Sequence, residues 1–146
     1  MTANNKKKTV IVILLLAVCM AGVGYYMYNK GPVDVKDSPA VKIEAGTLYN
    51  AYLTDSSAAQ KNYSGKILQV SGLVSKVSDN QQGEMIVLLK TNTNGAFVNC
   101  TLQQKINNIK PNDKLQVKGI CSGMGQGEQE LGIMGDLYLT RSLIVE

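Results

Sequence analysis

Three cysteines and a few carboxylates are the residues of this 146-residue chain best placed to do chemistry. It contains no histidine and no tryptophan. Without histidine there is no His-based acid–base catalysis, no His metal ligation, and no Ser-His-Asp or Cys-His constellation. Asp136, Glu128, Glu130 and Tyr138 are the remaining catalytic candidates, but their spacing matches no known arrangement. The cluster Gly123-Met124-Gly125-Gln126-Gly127 lacks a lysine and precedes no helical pattern, so it reads as a loop and not as a phosphate cradle. No catalytic residue, metal ligand or cofactor is expected, and the chain reads as non-enzymatic.

The cysteines suggest a structural role instead. Cys100 and Cys121 occupy apolar-face positions of two alternating stretches. In an oxidising compartment a bridge between them is expected. It would close a loop of about 22 residues and contribute roughly 3 kcal/mol on a chain-entropy estimate. The alternative is two buried free thiols. A redox-active pair would need C-x-x-C spacing and a basic neighbour, and neither is present.

The compartment is set by the N-terminus. Lys6, Lys7 and Lys8 precede twenty uncharged residues, 9–28, TVIVILLLAVCMAGVGYYMY. As a helix this run spans about 30 Å, the thickness of a bilayer core, with its backbone hydrogen bonds satisfied internally. The lysines hold residues 1–8 in the cytoplasm, which sends the rest of the chain to the periplasmic or extracellular side. Tyr25, Tyr26 and Tyr28 fall where an aromatic belt meets the far interface. A cleaved secretory signal would have a shorter apolar core and an A-x-A-like site. Leu16-Ala17-Val18-Cys19 resembles a lipobox, which makes a lipoprotein attached through Cys19 the alternative. Val18 is a poor fit to that motif, and the apolar run continues past Cys19, so an uncleaved signal-anchor is the reading.

The anchor also accounts for the charge. Of the +4 net charge, Lys6, Lys7, Lys8 and Lys30 flank the apolar run. From Gly31 onward eleven basic residues balance eleven acidic ones. The basic pI therefore reflects membrane topology and does not argue for a polyanion partner.

A linker over residues 29–42, with Gly31, Pro32, Pro39 and alternating charges, leads to a domain over 43–146. Leu48, Tyr52, Ala59 and Tyr63 recur at helical spacing, with Asp55-Ser56-Ser57 loosening the middle. The period then changes to two. Strands are expected over 67–77, 84–91, 96–102, 114–121 and 136–145, with a short helix or helical turn over 103–109. Gly72 within the long first strand marks a bulge that lets one strand serve two sides of a barrel. The fold expected is mainly β: a five-stranded OB-fold-like barrel preceded by an α-helix, plus one N-terminal transmembrane helix.

Tyr52, Asp55, Ala58-Ala59, Tyr63, Gly65-Lys66 and Val70-Ser71-Gly72-Leu73-Val74 resemble the tRNA anti-like family of OB-fold proteins. Cys100, Gly119-Ile120-Cys121-Ser122-Gly123 and Gly135-Asp136-Leu137-Tyr138-Leu139 extend that resemblance to the end of the chain. Asp55 departs from it, standing where an asparagine is usual. The family's name reflects fold similarity to anticodon-binding domains, and fold does not determine function.

OB barrels use their second and third strands as a binding platform. Here that platform comprises Glu84, Ile86, Leu88, Lys90, Phe97, Asn99 and Thr101. The partner expected is an envelope protein, peptide or glycan. The alternative, single-stranded nucleic acid, needs stacking aromatics in a positive groove, and Phe97 is the only aromatic on those two strands.

Overall fold

The computed structural model describes residues 3–31 and 33–145. Met1 and Thr2 of the expected cytoplasmic segment, Pro32 of the linker and Glu146 at the domain's end lie outside the described residues. The chain divides into two units, the first ending at Val33 and the second beginning at Asp34.

The first unit is the helix α1, Ala3–Asn29. Its stretch Lys7–Asn29 is 23 residues long, and it is apolar enough to cross a membrane. At its end Lys30 places Nζ 5.4 Å from the Tyr26 ring centroid, a cation–π contact.

The second unit runs through β1 (Val41–Glu44), α2 (Ala45–Thr54), α3 (Ser56–Tyr63), β2 (Ile67–Asp79), β3 (Met85–Lys90), β4 (Phe97–Leu102), β5 (Lys114–Met124) and β6 (Leu137–Val145). The sheet order is β1-β2-β3-β4-β6-β5, and β5 returns to pair with β2. Strands β2 to β6 thus close a five-stranded barrel of OB-fold topology. β1 is an added strand, parallel to β2. The segment read as linker therefore contributes to the second unit: Val35 is buried, and Lys118 Nζ donates to the Lys36 carbonyl at 2.9 Å.

Strand β2 does serve two sides. Ile67–Leu73 pair with β5, and from Val74 onward the partner is β3. The register shift falls between Val74 and Lys76, and not at Gly72. Gly72 has a different role. A Cβ there would stand 3.1 Å from Ala45 Cβ and 3.3 Å from Leu89 Cβ. The glycine thus lets the start of α2 approach the sheet closely.

The helical stretch breaks in two at Asp55. This residue ends α2 and caps α3, where its Oδ1 accepts from Ala58 N at 3.0 Å, satisfying one orphan N–H of the new helix. Leu48, Tyr49 and Tyr52 of α2 are buried in one cluster with the inward residues of the barrel, among them Leu68, Val70, Leu89, Val98, Val117 and Leu139.

Two expectations are corrected. Residues 103–109 form bends and turns, not a helix. Asn108 has φ 75°, a left-handed conformation that a helix excludes. Cys100 and Cys121 are free, buried thiols and not a disulfide. Both are register partners of Leu139, from opposite sides of β6.

Candidate binding face on the barrel

Strands β3 and β4 pair antiparallel, with Ile86 opposite Thr101, Leu88 opposite Asn99 and Lys90 opposite Phe97. Val87, Leu89, Val98, Cys100 and Leu102 are buried. Strand alternation therefore turns the other set to the outside. Six of the seven residues expected as a platform share this outer face as three cross-strand pairs. Glu84 stands apart, just before β3.

Both charged members are held by local bonds. Glu84 closes a turn around Asn80: Asn80 Nδ2 donates to Glu84 Oε2 at 2.8 Å, and Asn80 Oδ1 accepts from the Gln82 and Glu84 amides. Lys90 Nζ donates to Asn112 Oδ1 at 2.6 Å. The centre of the face is thus apolar and amide-bearing, with its charges at the ends.

Neighbouring strands extend it. Lys76 of β2 lies opposite Leu88, and Tyr138 of β6 lies beside Asn99. Lys76, Leu88, Asn99 and Tyr138 form one row across four strands, roughly 14 Å at ordinary strand spacing. Tyr138 is 40% exposed. The sequence offered it only as a catalytic candidate in no known arrangement. Only the parallel pairing of β4 with β6, between segments some forty residues apart, brings it beside Asn99 and onto the face that carries Phe97.

At the Thr101 end the face opens into a cleft of about 340 Å³ lined by Glu84, Thr101, Leu102, Gln103 and Arg141. Arg141 sits at a register shift in the β4–β6 pairing and has φ 51°. A bulge of this kind re-aims side chains; here it sets a guanidinium-bearing residue and Glu84 on the walls of one cleft.

The acidic candidates do not assemble. Asp136 Oδ1 accepts from Phe97 N at 3.1 Å. Its pKa is raised by burial, against the lowering effect of that hydrogen bond. Tyr49 donates to the Gly135 carbonyl at 2.8 Å, and its own pKa is raised by burial and then by the nearby Asp136 charge. Glu128 and Glu130 lie in the β5–β6 loop. Among the described residues no group of three or more His, Cys, Asp or Glu could hold a metal ion. Tyr52 bonds Ser64 Oγ at 2.9 Å and lies 3.6 Å from Cys121 Sγ; burial pushes its phenol up to about 12. These tyrosines tie the helices to the barrel, and their protonated phenols suit that task.

The family model tRNA_anti-like matches residues 1–129. The chain belongs to the tRNA_anti-like family. The match takes in the apolar helix as well as β1 to β5. No curated protein matches the chain in sequence. Among solved structures, the crystal structure of a protein assigned as an aspartyl-tRNA synthetase from Leishmania major Friedlin is similar over 86% of this chain, with 11% identity and a TM-score of 0.43. The chain spans a quarter (25%) of that protein's length.

Proposed function

We propose that this tRNA_anti-like chain is a non-enzymatic, membrane-anchored interaction module of the cell envelope whose outer β3–β4–β6 face binds a protein, peptide or glycan. The observation that carries this reading is the row Lys76–Leu88–Asn99–Tyr138, with Ile86 and Phe97 beside it. Half-exposed apolar and aromatic groups around an amide, with charges at the rim, are the composition of an interaction patch. The positive-inside lysines favour an N-terminus in the cytoplasm and a barrel outside it. The test is affinity capture from solubilised membranes with the full-length chain, beside Leu88→Asp and Tyr138→Ala. A partner retained by the wild type and lost with both variants is expected. Identical captured sets for all three proteins would remove the assignment to this face.

A second reading has one observation in its favour. Phe97 and Tyr138 share the face with Lys76 and Lys90, and stacking aromatics beside cations suit single-stranded nucleic acid. Salt-dependent binding of an oligonucleotide, weakened by Tyr138→Ala, is the result that this reading requires. An absence of binding at low salt ends it.

A further inference from the structure

One asparagine of this chain is followed by glycine, Asn94 with Gly95. The pair forms the tip of the turn joining β3 to β4, where Ala96 N donates to the Thr93 carbonyl at 3.2 Å. Gly95 takes the third turn position with φ 75°, a conformation that favours glycine. Both residues are exposed. A Cβ on Gly95 would meet nothing within 4 Å, so the space around it is open. Among the described residues neither the Asn94 side chain nor the Gly95 amide makes a hydrogen bond.

Other asparagines are held or hindered. Asn80 uses both side-chain atoms to close its own turn. Asn112 accepts from Lys90, and the amide that follows it, Asp113 N, donates to the Lys110 carbonyl at 3.2 Å. Asn99 lies within the β3–β4 ladder. Asn92 is followed by Thr93, whose β-branch crowds the connecting amide. The carbon of a side-chain amide is a weak electrophile, and the next backbone nitrogen is the nucleophile that can close a five-membered ring on it. That closure needs the nitrogen unbonded and unhindered, which Gly95 provides.

We propose that Asn94 is a site of self-modification, with water as the only co-reactant. The Gly95 nitrogen gives its proton to hydroxide and attacks Asn94 Cγ. The new C–N bond forms as the Cγ–Nδ2 bond breaks, and Nδ2 leaves as ammonia. Water then opens the succinimide: at Cγ it gives aspartate, and at the backbone carbonyl it gives isoaspartate. Ring closure requires Asn94 to rotate about ψ, and a single backbone bond, Ala96 to Thr93, spans the turn against that rotation. Either product adds one carboxylate to the balanced charge beyond Lys30. It does so at the end of the outer face, where Lys90 stands opposite Phe97. The chemistry is independent of whether that face binds a partner.

The test holds the full-length chain in zwitterionic lipid nanodiscs at neutral and mildly alkaline pH, with a denatured sample in parallel. Samples are digested with trypsin under mildly acidic conditions, and fragmentation of the peptide 91–105 separates Asn92, Asn94 and Asn99. The native chain is expected to convert amide to acid at Asn94 ahead of Asn92, Asn99 and Asn112, faster as hydroxide rises, with isoaspartate exceeding aspartate. Asn94→Gln, which would need a six-membered ring, loses the signal at this position. A native Asn94 that stays intact while the denatured sample converts would overturn the site, since the fold then protects it. Equal conversion at all four asparagines overturns its selectivity. Aspartate without isoaspartate overturns the ring-closing route.

Discussion

Cys100 of β4 and Cys121 of β5 flank the same residue, Leu139, one on each side of β6. Two strand spacings separate them, about 10 Å, whereas a disulfide needs Cα atoms within roughly 7 Å. Each thiol is buried on its own. Burial alone pushes the Cys100 thiol far above its ordinary pKa, and Cys121 lies under the Tyr52 hydroxyl. Cys100 is not a ready thiolate, and the barrel is held by packing and strand pairing, with no bridge between these two cysteines.

Native protein should therefore resist alkylation at Cys100 and Cys121, and denatured protein should be alkylated at both with no reductant added. Reductant should leave the melting temperature unchanged. Intact-mass analysis after maleimide treatment checks this. An oxidised mass, or a melting temperature that reductant lowers, would restore the bridge.

Gly119 and Ser142 form a coupled pair across β5 and β6. A methyl group at Gly119 would collide with Ser142 Oγ and come within 3.1 Å of both Ser142 Cβ and the Thr140 carbonyl. Gly119→Ala should cost about 1–3 kcal/mol, as overpacking does. Ser142→Ala should stabilise the chain by about 1 kcal/mol, because it removes an unsatisfied buried hydroxyl. In the double variant the Gly119 penalty should shrink without vanishing, since the Thr140 approach remains. Denaturant melts arranged as a double-mutant cycle measure the coupling, and simple additivity would contradict the contact.

Asp136 gives stability an acid-side signature. Burial raises its folded-state pKa above the ordinary carboxylate value, against the opposing Phe97 amide. The folded chain thus holds this proton more tightly than the unfolded chain does. Its contribution favours folding below the unfolded pKa and is lost as pH rises through the higher folded value. Asp136→Asn keeps an oxygen for the Phe97 amide and removes the titration. The variant should show a flatter loss of stability as pH rises across that window, read by denaturant melts at stepped pH. A slope unchanged from wild type would show that Asp136 does not titrate in this way.

Local patterning accounts for what was legible early. The strands announce themselves by alternation, as in Phe97–Leu102, where Val98, Cys100 and Leu102 are the buried set. The helix that was expected over 103–109 did not form, and Asn108 within it takes a left-handed backbone angle, which composition alone does not reveal. β1 was missed because four residues carry too little periodicity to stand out from a linker. Tyr138 was missed as part of the platform because its neighbours come from β4, in the parallel pairing with β6.

The sequence by itself determined the apolar helix, the five barrel strands, their inward faces and the charge neutrality of the chain beyond Lys30. Each of these follows from a short-range period or a count. Only the tertiary structure decided that β6 lies between the cysteines, that Tyr138 pairs with Asn99, and that Ser142 Oγ meets Gly119. These depend on register between distant segments. A shift of one residue would turn each of those side chains to the other face of the sheet.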